Sequence, residues 1–485
     1  MRWLTGLKVV VSFLVAGGSA GAATLKVGPG QTHAAPCAAF AAAQDGDTVE
    51  IDSAGNYAGD VCAISKSHLL IRGVGPGRAR IDAAGKNAQG KAIWVVQGSD
   101  TTIENVELSG ASVPDANGAG IRQEGKNLTV RHCSFHDNQD GILAGDVAGS
   151  EILIEHSEFD HNGAGDGYSH NLYVNHVAKL TFQYNYSHRA VVGHLLKTRA
   201  AENYILYNRL TGESDGTQSY EIDCPNGGLT YVIGNLVEQG ATSENPALLA
   251  YLEEGAHALN PSDALFVVNN SFVNHLGRGT FVSVGATATT PAVLINNVFF
   301  GGGTACSQGS AIASHNYEGK MSCFVADSTL DLHLLPGSPC VDAGTDPGAG
   351  AGLALLPKSQ YVHPAASEAR PVSGAIDLGA FELAASVVTG GASSGGTAAV
   401  GGSASAGTES GGSSAAQGGA GSGGTPAGSG GAAVSAGAAG QASADDGCSC
   451  RAARASQRRG SLTAKLSVIA ALLFVRRRRS QRAAR

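Results

Sequence analysis

The chain has 485 residues, of which 43% are hydrophobic, 15% are charged and 69 are glycine. Two of the 32 Lys and Arg precede residue 23 and eleven follow residue 450, so the stretch between them carries 19 basic against 40 acidic side chains, a formal charge of −21. Such an acidic body repels polyanions, which excludes nonspecific nucleic-acid binding from its expected functions.

The first 22 residues predict a secretory signal peptide. Arg2 and Lys8 precede an apolar run at residues 9–16, and small residues follow up to Ala22. A transmembrane helix needs about 20 apolar residues, so this run is too short to span a bilayer. We therefore predict export of the protein and cleavage after Ala22.

Short stretches of alternating polar and apolar residues recur through the middle of the chain, as is typical of half-buried β-strands. Their equivalent end positions are about 27 residues apart, and a unit of this size cannot bury its apolar face alone. We therefore predict an all-β body at residues 23–385, a parallel β-helix of about ten stacked coils. The aligned end positions are Asn105, Cys133, Ser157, Asn185, Asn208, Asn235, Asn270 and Asn297.

Three structural details follow from this repeat. The recurring asparagines predict a ladder inside the coil, because Asn tolerates left-handed backbone and bonds neighbouring amides. Residues 36–43 predict a short helix that caps the first coil. Since export allows disulfides to persist, cysteines about one repeat apart predict the pairs Cys37–Cys62 and Cys306–Cys323.

The C-terminal residues predict two further segments. Residues 386–446 consist mainly of Gly, Ala, Ser and Thr with no aromatic residue, so we predict a flexible, disordered linker. Residues 447–485 contain Cys448 and Cys450, a ten-residue run at 466–475 that is apolar except for Ser467, and a block of four arginines. The apolar run predicts a short helix that is too short for a permanent membrane span and is typical of a sorting or anchor segment.

Two family resemblances add to this interpretation. With its repeated strands, the body resembles the right-handed parallel β-helix proteins of the pectate-lyase-like superfamily. Around Gly447, Cys448, Cys450 and Arg451 the tail resembles the MYXO-CTERM sorting domain of myxobacteria, although Ser449 departs from the usual Cys-Gly-Cys. The second resemblance implies a myxobacterial source, recognition by a sorting protease near the cysteines, and display on the outer surface of the cell.

The candidate site residues lie in three consecutive coils, where basic residues concentrate in an otherwise acidic body. Several of these residues follow the recurring strand end of their own coil by a similar number of residues, so we expect them to line one face of the stack. The candidate catalytic residues are Lys197, Arg199, His194 and His170; the candidate substrate-binding residues are Asn171, Tyr173, Arg189 and Tyr220; and the candidate Ca2+ ligands are Glu221 and Asp223.

One functional interpretation is a lyase that cleaves a uronic-acid polymer by β-elimination. Such a reaction needs a base for the proton at carbon 5, a partner for the uronate carboxylate and an acid for the leaving oxygen. Lys197 is the candidate base, Arg199 can bind the carboxylate with two hydrogen bonds, and two acidic side chains can hold Ca2+. Residues 197–203 resemble the lysine-bearing coil of alginate and chondroitin lyases, but the second catalytic arginine of those enzymes has no counterpart at residues 217–221.

Two alternatives stay open. Glu221, Asp223 and Asp166 could serve as the paired carboxylates of a glycoside hydrolase, although the Asp-Asp motif of polygalacturonases is missing. The face could instead bind glycan or matrix without catalysis, and each charged residue alone could be an ordinary solvated side chain. In every case we expect a monomer that binds polysaccharide or extracellular glycan, with Ca2+ as the one candidate cofactor.

Overall fold

The structure is a computed structural model that describes residues 21–371 and 373–383. Most of the predicted signal peptide, the linker, the predicted apolar helix and both tail cysteines, Cys448 and Cys450, lie outside the described residues. Within these residues, no helix is long and apolar enough to cross a lipid bilayer.

The described chain winds through three parallel sheets in turn, and each sheet receives one strand from most coils. The first sheet has 12 strands, Thr24–Val27, Thr48–Asp52, Leu70–Val74, Thr101–Glu104, Leu128–Arg131, Glu151–Glu155, Lys179–Gln183, Glu202–Leu206, Leu229–Ile233, Leu265–Val268, Val293–Ile295 and Ile312–Ser314. The second has nine, Ala79–Asp82, Val106–Ser109, Ser134–His136, Glu158–Asp160, Tyr186–His188, Arg209–Thr211, Leu236–Gln239, Ser271–Asn274 and Val298–Gly301. The third has ten, Cys62–Ile64, Ala92–Val96, Ala119–Gln123, Asp140–Ala144, Leu172–Val174, Lys197–Thr198, Ile222–Cys224, Ala247–Tyr251, Thr280–Val284 and Thr304–Cys306. This is the predicted parallel β-helix of about ten coils.

The period-two pattern of each strand decides which side chains fill the coil. In strand Lys179–Gln183, Leu180 and Phe182 are fully buried while the three residues that alternate with them are half-buried on the outside. Equivalent inward residues stack from coil to coil, as the rings of Phe135 and Phe159 do with centroids 5.0 Å apart. The apolar side chains therefore form one continuous core along the axis.

The predicted asparagine ladder is present, and it extends further than predicted. The backbone N–H of Asn185 donates to the side-chain oxygen of Asn208 at 2.9 Å, and the same bond repeats coil by coil up to Asn316. The predicted place of Asn105 was wrong by one residue. Glu104 pairs with Arg131, so Asn105 is level with His132, and both have left-handed backbone with φ of 54°. Glu107 pairs with Ser134, so Val106 is the residue level with Cys133.

A short helix, Pro36–Ala42, covers the first coil as predicted. Its Phe40 ring contacts the ring of Trp94 edge to face, 5.3 Å between centroids, inside the core. The predicted disulfide Cys37–Cys62 is confirmed and fixes this helix to the third sheet.

The other predicted disulfide was wrong. Cys323 bonds to Cys340, and Cys306 stays free on the last strand of the third sheet. Spacing by one repeat fails here because the chain leaves the coil after Tyr317, which still forms a parallel bridge with Val298, and continues in antiparallel pairs. These pairs are Phe324–Ala326 with Asp331–Leu334, Ala349–Gly350 with Leu353–Ala354, and Ser359–Val362 with Ala366–Ala369, and a short 3₁₀ helix spans Asp327–Thr329.

This C-terminal segment packs against the outer sides of the first two sheets. Leu332 and Phe381 share an apolar cluster with Leu236 and Val298 of the second sheet. On the first sheet, the hydroxyl of Tyr231 donates to the carbonyl of Gly350 at 3.0 Å. The predicted site residues lie mainly on the remaining sheet, the third.

Candidate functional site

Three of the predicted site residues form one column on the outer face of the third sheet. The register pairs Tyr173 with Lys197 and Lys197 with Asp223 on adjacent parallel strands, which lie about 4.8 Å apart. The inward neighbours Leu172 and Ile222 belong to the core. Counting from strand ends had instead placed Lys197 level with His170 and Glu221, and the difference arises because the turns between sheets vary in length.

Two cations lie side by side at the centre of this face. The Lys197 ammonium is 3.2 Å from Oδ2 of Asp223 and 3.7 Å from Oε1 of Glu254. Arg199 donates from Nε to the hydroxyl of Tyr173 at 2.9 Å, and its Nη1 lies 2.8 Å from Oε2 of Glu254 and also bonds Asn226. Both cationic side chains are largely buried, with 12% of Lys197 and 15% of Arg199 exposed.

The two carboxylates around the cations differ in their electrostatics. Burial raises the pKa of Asp223 to about 6, although the Lys197 ammonium opposes the shift. Burial also acts to raise the pKa of Glu254, but its hydrogen bond with Arg199 outweighs this and the pKa is lowered. Asp223 therefore titrates closer to neutrality than an ordinary carboxyl, while Glu254 stays ionised.

A second column, at the start of the same strands, is built from side chains that accept backbone hydrogen bonds. Asp140 Oδ1 accepts the N–H of His170 at 2.8 Å, and His170 Nδ1 accepts the N–H of His194 at 3.0 Å. His194 Nδ1 in turn accepts the N–H of Tyr220 at 3.2 Å. The two imidazoles stack with centroids 4.4 Å apart.

This column fixes the protonation of both histidines. Burial lowers their pKa values well below the usual range, and the nearby cations lower them further. Because Nδ1 is an acceptor in each neutral ring, the proton sits on Nε2. The Nε2 of His194 lies 3.4 Å from Oδ2 of Asp223, so His194 can position the carboxylate that holds Lys197.

Two predicted residues lie inside the coil instead of on the face. Asn171 is fully buried and donates from Nδ2 to the hydroxyl of Ser187 and the carbonyl of His188. Glu221 is also fully buried, with Oε1 accepting a hydrogen bond from Gln218 at 3.0 Å. Burial raises the pKa of Glu221 well above its usual range, which favours the neutral form of this carboxyl in the folded protein.

The predicted Ca2+ ligands do not fit that ion. Ca2+ takes six to eight oxygen ligands in one shared space. The carboxyl of Glu221 faces Gln218, whereas that of Asp223 faces Lys197 and His194. No group of three or more His, Cys, Asp or Glu suited to a metal ion occurs in residues 21–371 and 373–383.

Arg189, predicted to bind substrate with the other basic residues, lies on the second sheet's side. Its Nη2 is 2.7 Å from Asp160, and the adjacent His188 lies 3.4 Å from Glu158 and 3.6 Å from Glu213. Closeness in sequence was misleading, because the turn at 189–196 carries the chain from the second sheet to the third. The acidic residues on the preceding second-sheet strands were the sequence signal that could have separated Arg189 and His188 from the basic residues of the third sheet.

The same side holds two adjoining cavities of about 450 and 660 Å3 that both contact Arg209 and Leu330. They lie between the second sheet and the C-terminal segment. On the third sheet, a cavity of about 260 Å3 borders the site and is lined by Arg122, Asp166 and Tyr173. The site therefore continues as a groove towards the N-terminal coils.

Comparison with known proteins fixes the hand of the coil. A family model described as "Right handed beta helix region" matches residues 81–237, which include Tyr173, Lys197 and Asp223. The chain folds as a right-handed parallel β-helix. A crystal structure of pectate lyase Pel9A superposes with a TM-score of 0.47 at 14% identity, covering 75% of this chain and 97% of that one. No curated protein matches the chain.

Proposed function

We propose that this protein acts on polysaccharide, and that it binds a uronic-acid polymer on the outer face of the third sheet and cleaves it by β-elimination. The observation that carries the proposal is the pair of neighbouring cations, Lys197 and Arg199, on an otherwise acidic body. An ammonium and a guanidinium side by side can form ion pairs with the carboxylates of an anionic chain. A guanidinium also matches the planar geometry of a carboxylate.

The roles follow from the contacts. Arg199 binds the uronate carboxylate and stabilises the negative charge that develops on it when the carbon 5 proton leaves. The Asp223 carboxylate, 3.2 Å away, first takes a proton from the Lys197 ammonium, and the neutral amine then takes the carbon 5 proton. The Tyr173 hydroxyl accepts a hydrogen bond from Arg199, so its own O–H can donate to the leaving oxygen at carbon 4.

A second candidate function is glycan binding without catalysis. Lys197 lies within 3.7 Å of two carboxylates, Asp223 and Glu254, and an ammonium held in this way serves a binding role well. Hydrolysis by Glu221 with Asp223 is less compatible with the site. Glu221 is fully buried and cannot reach a glycosidic bond outside the coil.

The deciding experiment is a polymer screen with the full-length protein on alginate, pectate, chondroitin and neutral glycans, with and without Ca2+. We expect an unsaturated, ultraviolet-absorbing product from at least one uronate polymer, and its loss in Lys197→Ala. Lys179→Ala is the matched control, because Lys179 is ion-paired with Glu151 on the first sheet. Reducing ends without the absorbance would indicate hydrolysis, and binding without any product would leave the glycan-binding function.

Export, surface attachment through the tail and a monomeric state are also part of the proposal. Their support is the sequence of residues 1–22 and 447–485 and the acidic, soluble body between them. Surface labelling of cells that produce the protein should detect it, and Cys448→Ser with Cys450→Ser should release it or leave it inside. Unchanged surface labelling of the double variant would contradict the sorting role of the cysteines.

A further inference from the structure

Glu254 bridges the two cations of the site with one carboxylate. Oε2 lies 2.8 Å from Nη1 of Arg199, and Oε1 lies 3.7 Å from Nζ of Lys197. Each oxygen therefore faces a different cation. This is the arrangement that a uronate carboxylate would need in order to contact both groups at once.

The exposure of the three side chains shows from which side Glu254 approaches. Its side chain is 50% exposed, compared with 12% for Lys197 and 15% for Arg199. Glu254 thus covers the cations from the solvent side. A carboxylate that arrives from solution meets the cations only after the Glu254 side chain moves.

The backbone around Glu254 is held independently of its carboxylate. Its N–H donates to the carbonyl of Pro225 at 3.0 Å, and the carbonyl of Gly255 accepts a hydrogen bond from Asn226 at 3.0 Å. In the described part of the chain, the ion pairs of Glu254 are those with Lys197 and Arg199. The side chain can therefore rotate towards water without unfolding the loop that carries it.

We propose that Glu254 is an internal substitute for the substrate carboxylate: it occupies the cation pair in the free protein and is displaced when a carboxylate-bearing saccharide binds. The inference rests on the proposed function, in which Arg199 binds the substrate carboxylate beside Lys197, and adds what controls access to that place. An anionic sugar replaces the charge that it displaces. A neutral sugar leaves Arg199 without the Glu254 carboxylate and Lys197 with Asp223 alone, so the contact selects against neutral glycans.

The neighbouring residue offers a matched control. Glu253 also belongs to the exposed part of this loop, but its carboxylate accepts a hydrogen bond from the hydroxyl of Ser283 at 2.6 Å. Glu253→Gln and Glu254→Gln remove the same charge from adjacent positions. Only the second removes the group that occupies the cations.

The test is calorimetric titration of the full-length protein with a galacturonate trimer and with an uncharged galactose trimer. Because the affinity of a partly occupied site falls with the fraction that is open, we expect Glu254→Gln to bind the galacturonate trimer about tenfold more tightly than the parent. We expect Glu253→Gln to differ from the parent by less than about twofold, and the parent to prefer the charged trimer. Glu254→Asp, whose shorter side chain keeps the charge, should lie between parent and Gln variant.

Two results would overturn the inference in distinguishable ways. If the parent binds the galacturonate trimer and Glu254→Gln binds it equally or more weakly, with an unchanged circular dichroism spectrum, the carboxylate does not compete and the proposed function stands alone. If neither protein binds either trimer, the cation pair is not a carboxylate site, and the proposed function fails together with the inference.

Discussion

The asparagine ladder predicts a large stability loss for Asn208→Ala. The Asn208 side chain is fully buried, accepts hydrogen bonds from the backbone and side chain of Asn185, and donates to the carbonyl of Phe182 and to Asn235. Each such bond contributes about 1 kcal/mol net, and a buried group left without a partner costs about 1–3 kcal/mol. We expect the free energy of unfolding to fall by about 4 kcal/mol.

Urea denaturation followed by circular dichroism measures this change. Asn56→Ala is the control, because Asn56 is exposed and accepts one local bond from the N–H of Ala58 at 3.3 Å. We expect this control to change the free energy by less than about 0.5 kcal/mol. A loss below about 1 kcal/mol in Asn208→Ala would mean that water or a shift of the backbone satisfies the freed groups, and the reasoning on the ladder would be refuted.

Three further predictions concern buried titratable groups. Although burial opposes it, Glu158 and Glu213 raise the pKa of His188 above 6.5, so its stabilisation is complete below pH 6.5 and is lost as the pH rises through the folded value. His188→Gln should remove that loss from the pH dependence of the thermal midpoint. Burial raises the pKa of Asp223 from 3.8 to about 6, so its contribution to the free energy of unfolding is complete below pH 3.8 and is lost as the pH rises to about 6. Asp223→Asn should flatten the pH dependence of stability between these values and shift the acidic limb of kcat/KM. Burial favours the protonated form of Glu221 in the folded protein, so Glu221→Gln should stabilise the protein more at pH 7 than at pH 4; equal effects at both would contradict the raised pKa.

The fold could be predicted from sequence because its cause is local and repeated. Period-two strands and asparagines at a constant position specify stacked coils wherever they recur, so the ladder and the first cap followed from the pattern. Asn105 was misplaced because the left-handed backbone belongs to the residue just before the ladder position and not to the ladder asparagines themselves, and Asn accepts that conformation. The partner of Cys323 could not be predicted, since the chain there no longer follows the repeat.

The site could be predicted in part. Tyr173, Lys197 and Asp223 meet because alternation along third-sheet strands puts each of them outside. Alternation alone does not say where a strand begins after a turn of variable length, so Asn171 and Arg189 were assigned to the wrong surroundings. The contacts of Glu254 arise from the path of a loop, which no repeat specifies.

The cap on the first coil covers an edge at which copies of the chain could otherwise pair. A coil without a neighbour presents a row of unpaired backbone groups, which is a template for the same edge of another molecule. Helix Pro36–Ala42 blocks this end, with Phe40 inserted against Trp94 and the Cys37–Cys62 bond holding it in place. We expect reduction of that bond to loosen the cap and favour end-to-end association, which size-exclusion chromatography with and without a reductant would detect.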